Sequence, residues 1–158
     1  MQFMNVEEKE NRKDKVVKVV FDTNVMVSAL LWTGLPHRLL KLADGEILQL
    51  CATLEMLEEI EEVLNYSKFA SQIKRLNTSI NELILHVEDV VTVYYPKEIV
   101  ERAVDRDPDD NIFLTCAVCS GAKFIISGDD HLLEMREFRK TKILSPRRFI
   151  ERIEASSQ

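Results

Sequence analysis

The sequence predicts an α/β fold, with three α/β/α layers around a central, mostly parallel, twisted sheet of about five strands. Short apolar runs alternate along the chain with longer segments in which apolar residues recur at helical spacing. Strands that are separated by helices form right-handed crossovers, which make the strands parallel and cover both faces of the sheet. A chain of 158 residues, 46% of them hydrophobic, fits one globular domain of this kind.

The predicted strands are five short apolar runs. The first, VVKVVF at 16–21, is interrupted only by Lys18, as expected of a strand that is buried on both faces. Most intervals between the runs are long enough for a crossover helix, which parallel strands require. The other four runs are EILQLCA, TVYYP, KFIIS and TKIL, at residues 46–52, 92–96, 123–127 and 141–144.

Helical segments fill the intervals between these strands. After the first strand, VMVSALLW and PHRLLKLA form one or two helical segments that are split by a turn at 33–36. The last helix, at 145–155, has Ser145 as its N-cap and Pro146 at its first helical position. Gly121 can terminate the helix that precedes the fourth strand. The helices predicted between these ends lie at 53–65, 79–90, 109–122 and 131–135.

The first fifteen residues differ from the rest of the chain. Because MQFMNVEEKENRKDK is mostly charged or polar, we expect a flexible arm at 1–15 and a single domain at 16–158. This opening has no apolar signal-peptide core, and no stretch reaches the roughly 18 apolar residues of a membrane span. We therefore expect a cytoplasmic protein without membrane contact. The net charge of −6 excludes a wholly basic surface but not a local basic patch.

The chain contains three cysteines, Cys51, Cys116 and Cys119. The last two form a C-x-x-C pair, which is the spacing of redox and zinc motifs. However, the pair lies in the apolar run IFLTCAVC, the sequence has no second cysteine pair, and its three histidines are scattered. We therefore interpret the pair as buried residues of a helix.

Acidic residues follow two of the predicted strands. Asp22 comes at the end of the first strand, and Asp129 and Asp130 follow the fourth one residue after its end. Because ligands of open parallel sheets bind outside the carboxyl ends of the strands, these acids can converge in one crevice. A buried carboxylate costs several kcal/mol unless it is paired or binds a cation. Each acid taken alone also fits a helix cap, so that interpretation stays open.

A third acidic cluster, DRDPDDN, has the form of a helix start. Asp107 fits the N-cap, Pro108 the first helical position and Asp110 the third, where the helix dipole favours carboxylates. An EF-hand is excluded, because counting from Asp105 places Asp110 where glycine is required and Cys116 where a bidentate glutamate belongs. With Asp107 as the cap, Asp110 is free for another role.

The helix predicted at 53–65 contains five glutamates. At about 100° per residue, its buried stripe consists of the apolar residues Met56, Leu57, Ile60, Val63 and Leu64. Glu58 and Glu62 point away from this stripe, whereas Glu59 and Glu61 lie on its two borders. A carboxylate that lines a pocket needs such a border position, but the helical wheel does not choose between the two.

Four of these stretches together resemble the PIN-domain family of metal-dependent nucleases. They are FDTNV, the glutamate of EEIEEVL, the aspartates of DPDDN, and SGDDHLL, in the order of the family and over nearly the whole chain from about Val16 onward. The most similar branch contains toxin components of toxin–antitoxin pairs. The arm at 1–15 departs from the compact form of the family.

The resemblance implies a set of catalytic residues, which are also the metal ligands, and it selects Glu59 over Glu61. This set falls on Asp22, Glu59, Asp110 and Asp129. Other polar residues of the same motifs are implied as neighbours or additional ligands of the metal. They are Thr23, Asn24, Asp107 and Asp130.

The implied cofactor is Mg²⁺ or Mn²⁺, as one or two ions. Several carboxylates within a few ångströms cannot all ionise without a cation, and these hard cations prefer oxygen ligands. The implied reaction is endonucleolytic hydrolysis of single-stranded RNA, which leaves a 5′-phosphate and a 3′-hydroxyl. A toxin also implies an antitoxin protein that covers or fills the acidic pocket, and family members often form homodimers.

An RNA substrate requires cationic contacts that an acidic pocket does not provide. Two segments, KFASQIKR and REFRKTK, supply candidates for phosphate contacts. For any single residue, a solvated charged surface is an equally good interpretation. The candidate RNA-binding residues are Lys68, Lys74, Arg75, Arg136, Arg139, Lys140 and Lys142.

Two other functions fit parts of the pattern. A phosphatase could use Asp22 as a covalent nucleophile, but such sites usually have an acid two residues later, where this chain has Asn24. A PIN-like module that binds RNA or a protein without cutting is the second alternative, and the intact acid set argues against it.

Overall fold

The chain folds around one six-stranded sheet, in a computed structural model that describes residues 16–98, 100 and 111–156. The order of the strands across the sheet is β3-β2-β1-β4-β6-β5. This α/β architecture confirms the predicted fold class. The strands are β1 (Val17–Phe21), β2 (Leu48–Ala52), β3 (Val91–Val93), β4 (Phe124–Ile126), β5 (Glu137–Phe138) and β6 (Thr141–Leu144).

The sheet is parallel except at one edge. In the centre, Val19 of β1 lies opposite Leu50 of β2 on one side and Phe124 of β4 on the other, both in parallel register. Among the strands of the described residues, only β5 pairs in the antiparallel direction, with β6. The carboxyl ends of β1, β2 and β4 therefore meet at the same edge of the sheet, where side chains from these strand ends can combine into one site.

Helices connect the strands and cover both faces of the sheet. Several begin with a polar cap. Ser145 accepts from the amide of Arg148, as predicted, and Thr53 accepts from that of Met56. The helices are α1 (Thr23–Leu31), α2 (Leu35–Asp44), α3 (Leu54–Leu64), α4 (Ala70–Arg75), α5 (Ile80–Val90), α6 (Asn111–Ser120), α7 (Asp130–Met135) and α8 (Pro146–Ser156), with a 3₁₀ turn at Ser67–Phe69.

Two apolar cores lie on opposite faces of the sheet, because successive residues of β1 point in opposite directions. Val19 and Phe21 pack with residues of α1, α2, α3, α5 and α8. Val20 packs with residues of α6 and α7. The sheet thus separates two helical layers, which gives the predicted α/β/α arrangement.

The structure differs from the predicted elements in several places, among them the second strand, which begins at Leu48 rather than at Glu46. The edge strand β5 and the short helix α4 were not predicted, because both are short and rich in polar residues. The third strand ends at Val93 rather than at Pro96, and Tyr95 is exposed. Proline cannot donate a ladder hydrogen bond, so it does not favour a longer strand there. The arm predicted at 1–15 and the start of the helix predicted at 109–122 lie outside the described residues.

Two further predictions concern membranes and cysteines. Across the described part of the chain, no helix combines the length and apolar character needed to span a bilayer. Cys116 is buried in α6 and Cys119 is half-buried there, while Cys51 is buried in β2. All three are free thiols, and burial raises the pKa of each. The interpretation of the C-x-x-C pair as packed helical residues is consistent with these positions.

Candidate active site

Asp22 lies at the carboxyl end of β1 and is only 3% exposed. Its backbone amide extends the β1–β4 contact by donating to the carbonyl of Ile126 at 3.0 Å. Its Oδ1 accepts from the amide of Val25 at 2.7 Å, which makes Asp22 the N-cap of α1. The cap interpretation is therefore correct for this residue. The cap uses only Oδ1, and Oδ2 of Asp22 points towards the end of β4.

The second oxygen of Asp22 joins β1 to the loop after β4. Oδ2 accepts from the hydroxyl of Ser127 at 2.5 Å and from the amide of Gly128 at 3.3 Å. Burial raises the pKa of Asp22, and the negative charge of Asp129 raises it further, while these hydrogen bonds act in the opposite direction. A cation at this carboxylate would relieve both of the effects that raise the pKa.

Asp129 is the N-cap of α7, so the cap interpretation is correct here too. Its Oδ1 accepts from the amides of His131 at 2.8 Å and Leu132 at 3.3 Å. The side chain is half-buried, and no hydrogen bond from the described residues reaches Oδ2. Asp130, the first residue of α7, is exposed. Asp129 thus keeps one carboxylate oxygen for a further ligand.

Ser127 connects the two aspartates and was not predicted as part of the site. Its hydroxyl donates to Asp22 and accepts from the amide of Asp129 at 2.9 Å, and the residue is fully buried. The register of the sheet explains why it lies beside Asp22: Phe21 is opposite Ile126, so the next residues, Asp22 and Ser127, are also neighbours. A single sequence does not reveal that register.

Glu59 reaches the same region from α3. Its Oε2 accepts from the hydroxyl of Thr23 at 2.9 Å, and Thr23 directly follows Asp22 in the chain. Glu59 is half-buried, whereas Glu61 is exposed, which is consistent with the choice of Glu59. Thr23 is only 6% exposed. Asn24, the other polar residue of this motif, is exposed on α1.

The fourth predicted acid, Asp110, lies outside the described residues, and so does Asp107. The next residue, Asn111, begins α6 and is buried. The helix α6 packs against β1 and β4 on the face of the sheet that contains Val20. Within residues 16–98, 100 and 111–156, no three His, Cys, Asp or Glu side chains lie close enough together to hold a metal ion.

An acidic groove runs along the outer side of α3 from Glu59. Its volume is about 380 Å³, and four glutamates contribute to its wall. The groove also touches the start of α6 through Ile112. Its negative charge favours cations over phosphate groups close to Glu59. Its lining residues are Glu55, Glu58, Glu59, Glu62, Val63, Tyr66 and Ile112.

The predicted RNA-binding residues fall into two separate groups. Lys68 lies in the 3₁₀ turn after α3, and Lys74 and Arg75 end α4; all three are exposed. The second group, from Arg136 to Lys142, belongs to the β5–β6 hairpin and the residue that precedes it.

The hairpin group is largely remote from Asp22. Arg139 and Lys140 form the turn before Thr141, where β6 begins, so they lie at the edge of the sheet opposite the carboxyl ends. Arg139 forms an ion pair with Glu98 at 2.8 Å. Lys142 lies level with Phe124, the first residue of β4, and Arg136 immediately precedes β5.

The chemistry of the site fits a hard divalent cation. The two oxygens of Asp22 offer about four acceptor positions, and hydrogen bonds fill three of them. Oδ2 of Asp129 and the carboxylate of Glu59 add oxygen donors, which Mg²⁺ and Mn²⁺ prefer. Asp22, buried and with a raised pKa, is a group that such a cation would stabilise in its charged form.

Comparison with known proteins agrees with this architecture. A family model described as PIN domain matches residues 18–131. The chain is also similar to Uncharacterized protein MJ1680 of Methanocaldococcus jannaschii, with 31% identity over 147 residues. The aligned region covers 87% of this chain and 92% of that relative.

Proposed function

The chain belongs to the PIN-domain family, and from that premise we propose that it is a metal-dependent endoribonuclease that hydrolyses single-stranded RNA. PIN domains are generally nucleases, and those nucleases typically use divalent metal ions. The products would carry a 5′-phosphate and a 3′-hydroxyl.

The observation that carries the proposal is the hydrogen-bonded connection of acids from three elements. Ser127 links Asp22, at the end of β1, to Asp129 after β4. Thr23 links the same strand end to Glu59 on α3. Two buried hydroxyl groups therefore hold the carboxylates of Asp22 and Glu59, and Ser127 also fixes the backbone of Asp129, as preorganised sites require.

We propose Asp22, Glu59, Asp110 and Asp129 as the residues that hold one or two Mg²⁺ or Mn²⁺ ions. The chemistry that such ions supply is Lewis-acid activation of water and of the phosphodiester. The roles of the protein are to fix the carboxylates, through Ser127 and Thr23, and to keep them charged. Since burial opposes the charged form of Asp22, the three donors to its carboxylate favour ionisation before any ion binds.

A toxin role in a toxin–antitoxin pair is the more specific form of this proposal. The resemblance of the motifs to that branch supports it, and so does the acidic groove beside Glu59, which is complementary to a basic side chain of an antitoxin. We also propose a homodimer and a cytoplasmic location, because these are the usual properties of that branch.

A non-catalytic module that binds RNA or protein is the second candidate. One observation favours it: Asp22 and Asp129 both cap helices, which explains each acid without catalysis. The two candidates differ in turnover, because a module that only binds would leave RNA intact in the presence of Mn²⁺.

The test is cleavage of an end-labelled single-stranded RNA with Mg²⁺ or Mn²⁺. We expect the wild-type protein to cut it, EDTA to stop the reaction, and added Mn²⁺ to restore it. Asp22→Asn should abolish cleavage while the circular-dichroism spectrum and cooperative melting persist.

The matched control for this test is Asp44→Asn, which replaces an acid at the end of α2. This variant should cleave RNA like the wild type. Cleavage that persists in excess EDTA, or in Asp22→Asn, would overturn the proposal. RNA binding without any cleavage would favour the non-catalytic module.

A further inference from the structure

A basic segment without acidic residues follows α3. Residues 63–81 contain Lys68, Lys74 and Arg75 and no aspartate or glutamate, in a chain whose net charge is −6. All three basic side chains are exposed on the 3₁₀ turn and α4. This segment is therefore a local positive patch on an otherwise acidic protein, and a polyanion is the partner that its charge favours.

Exposed aromatic rings lie within the same surface. Trp32, the residue after α1, is 46% exposed, and Tyr66, just before the 3₁₀ turn, is 47% exposed. The ring of Trp32 meets that of Phe69 edge to face, with centroids 5.9 Å apart. Lys68 places its Nζ 5.0 Å from the centroid of Phe69. Cations interleaved with exposed aromatic rings are the usual composition of surfaces that bind single-stranded nucleic acids.

Trp32 and the basic segment are held together as one surface. The side chain of Gln72 on α4 donates to the carbonyl of Leu31, the last residue of α1, at 2.7 Å. The buried side chain of Ile73 anchors α4 in the core beneath the patch. The aromatic and basic groups therefore do not depend on a flexible loop for their relative positions.

The surface is continuous with the candidate active site. Tyr66 lines one end of the groove along α3, and Glu59 lines the same groove. The glutamates of the groove repel phosphates close to the acids, whereas Lys68, Lys74 and Arg75 attract them farther on. Cations bound at the acids would offset this repulsion for the scissile phosphate, and the part of the strand beyond the groove could then bind the patch.

We propose that Trp32, Tyr66, Phe69, Lys68, Lys74 and Arg75 form a binding surface for the unpaired part of an RNA substrate. Bases stack on Trp32 and Tyr66, and the basic side chains contact phosphates. The inference rests on the proposed function, because it treats the bound strand as the substrate. It adds a structural reason for single-strand preference, since the bases of a duplex already stack on each other and cannot stack on these rings.

The charge of the surface favours RNA over a second copy of this chain. A two-fold symmetric contact would place the same patch against itself, and so bring the basic groups of both copies together. Like charges that face each other across an interface disfavour association. A strand of RNA, in contrast, supplies negative phosphates for the basic side chains and planar bases that stack on the exposed rings.

The experiment uses the fluorescence of Trp32, which is the only tryptophan of the chain. The full-length wild-type protein is titrated in EDTA with a single-stranded oligouridylate, so that binding is measured without cleavage. We expect saturable quenching, an affinity that falls steeply as salt rises, and at least tenfold weaker binding of a duplex of the same length.

Variants distinguish this surface from non-specific binding. Combined replacement of Lys68, Lys74 and Arg75 by alanine should weaken binding at least tenfold and reduce its salt dependence, and Tyr66→Ala should weaken it several-fold. The matched controls are Arg147→Ala with Arg148→Ala, exposed basic residues of α8, and Tyr95→Ala, an exposed aromatic residue outside the surface. We expect the controls to bind like the wild type.

The outcomes separate this inference from the proposed function. If RNA is cleaved in Mn²⁺ but Trp32 emission and the affinities of these variants do not change, the inference is wrong and the nuclease proposal stands. If Trp32 is quenched as expected but no RNA is cleaved, the inference stands and the nuclease proposal fails. Equal quenching by the duplex would overturn the inference. A concentration-dependent shift of Trp32 emission without RNA would also overturn it, in favour of a second copy of the chain.

Discussion

The hydroxyl of Ser127 donates to Oδ2 of Asp22 at 2.5 Å, across 105 positions of the sequence. The same hydroxyl accepts from the amide of Asp129 at 2.9 Å, so one buried group contacts both strand-end aspartates. Its hydrogen bond lowers the pKa of Asp22, against the larger effect of burial. Ser127 is therefore a positioning residue that also favours the charged form of Asp22.

Replacing Ser127 by alanine should reduce RNA cleavage most strongly at low pH. Loss of the donor raises the pKa of Asp22 further, so a larger fraction of the carboxylate is protonated and unable to bind a cation. The acidic limb of the pH–rate profile should move to higher pH. Initial rates between about pH 5 and about pH 9 measure this shift.

The control for this variant is Ser120→Ala, another buried serine, which lies at the end of α6. It should lose a similar amount of stability but keep the wild-type pH profile. A loss of rate in Ser127→Ala that is the same at every pH would contradict the assigned role and leave Ser127 with a packing role only.

Replacing Thr23 by valine should lower cleavage about tenfold or more, since a hydrogen bond to a charged group contributes about 1.5–3 kcal/mol. The shape of the side chain is kept, but the donor to Oε2 of Glu59 is lost. Thr141→Val is the matched control, because its buried hydroxyl donates to the carbonyl of Ala122 at the opposite edge of the sheet. Equal activity of the two variants, measured on the same RNA, would show that Thr23 does not position Glu59.

Much of the site could be predicted from the sequence because strand ends are visible in it. An apolar run followed by an acid, directly at Asp22 and after one glycine at Asp129, places both residues at the carboxyl edge of a parallel sheet, and the structure places both there. Their second role, as helix caps, was also predictable from the residue type. These features are local in the chain, so local patterns are sufficient to find them.

Features that depend on tertiary packing could not be predicted in this way. The helical wheel places Glu59 and Glu61 on opposite borders of one stripe, and only the packing of α3 against α1 determines which border faces Thr23. Ser127 depends on the register between β1 and β4, which a single sequence does not specify. The strand β5 has two residues, too few for a periodic signal.

Glu59→Gln should reduce cleavage far more than Glu61→Gln. Glu59 is half-buried and bonded to Thr23, whereas Glu61 is exposed on the other border of α3. Neutralising Glu59 removes a charged oxygen donor from the proposed metal site, and Glu61 has no such role. Rates of both variants at several Mn²⁺ concentrations test this, and the opposite ranking would require a different assignment of the α3 acid.

Asp22→Asn should become more stable relative to the wild type as pH rises, when both are measured in EDTA. The usual pKa of Asp22 is 3.8, and burial raises it in the folded chain. Above pH 3.8 the folded chain therefore holds this proton more tightly than the unfolded chain does, and wild-type stability falls as pH rises through the window up to the raised pKa. Because asparagine does not titrate, the stability of Asp22→Asn does not show this decrease with rising pH.

Thermal melts in EDTA at several pH values measure this difference, with Asp89→Asn, an exposed acid of α5, as the control. Added Mg²⁺ should then raise the melting temperature of the wild type and not that of Asp22→Asn, because an ion that binds the folded state stabilises it by mass action. A difference between variant and wild type that does not depend on pH would show that Asp22 titrates normally.

Cys116→Ala combined with Cys119→Ala should cost about 1–3 kcal/mol of stability and leave cleavage and metal content unchanged. Cys116 is fully buried in the second core, and burial raises the pKa of its thiol, so it stays protonated and is a poor metal ligand. Urea unfolding measures the cost, and Cys119→Ala alone should lose less, because that side chain is only half-buried. Stoichiometric zinc in the wild type that disappears in the double variant would instead identify the C-x-x-C pair as a metal site.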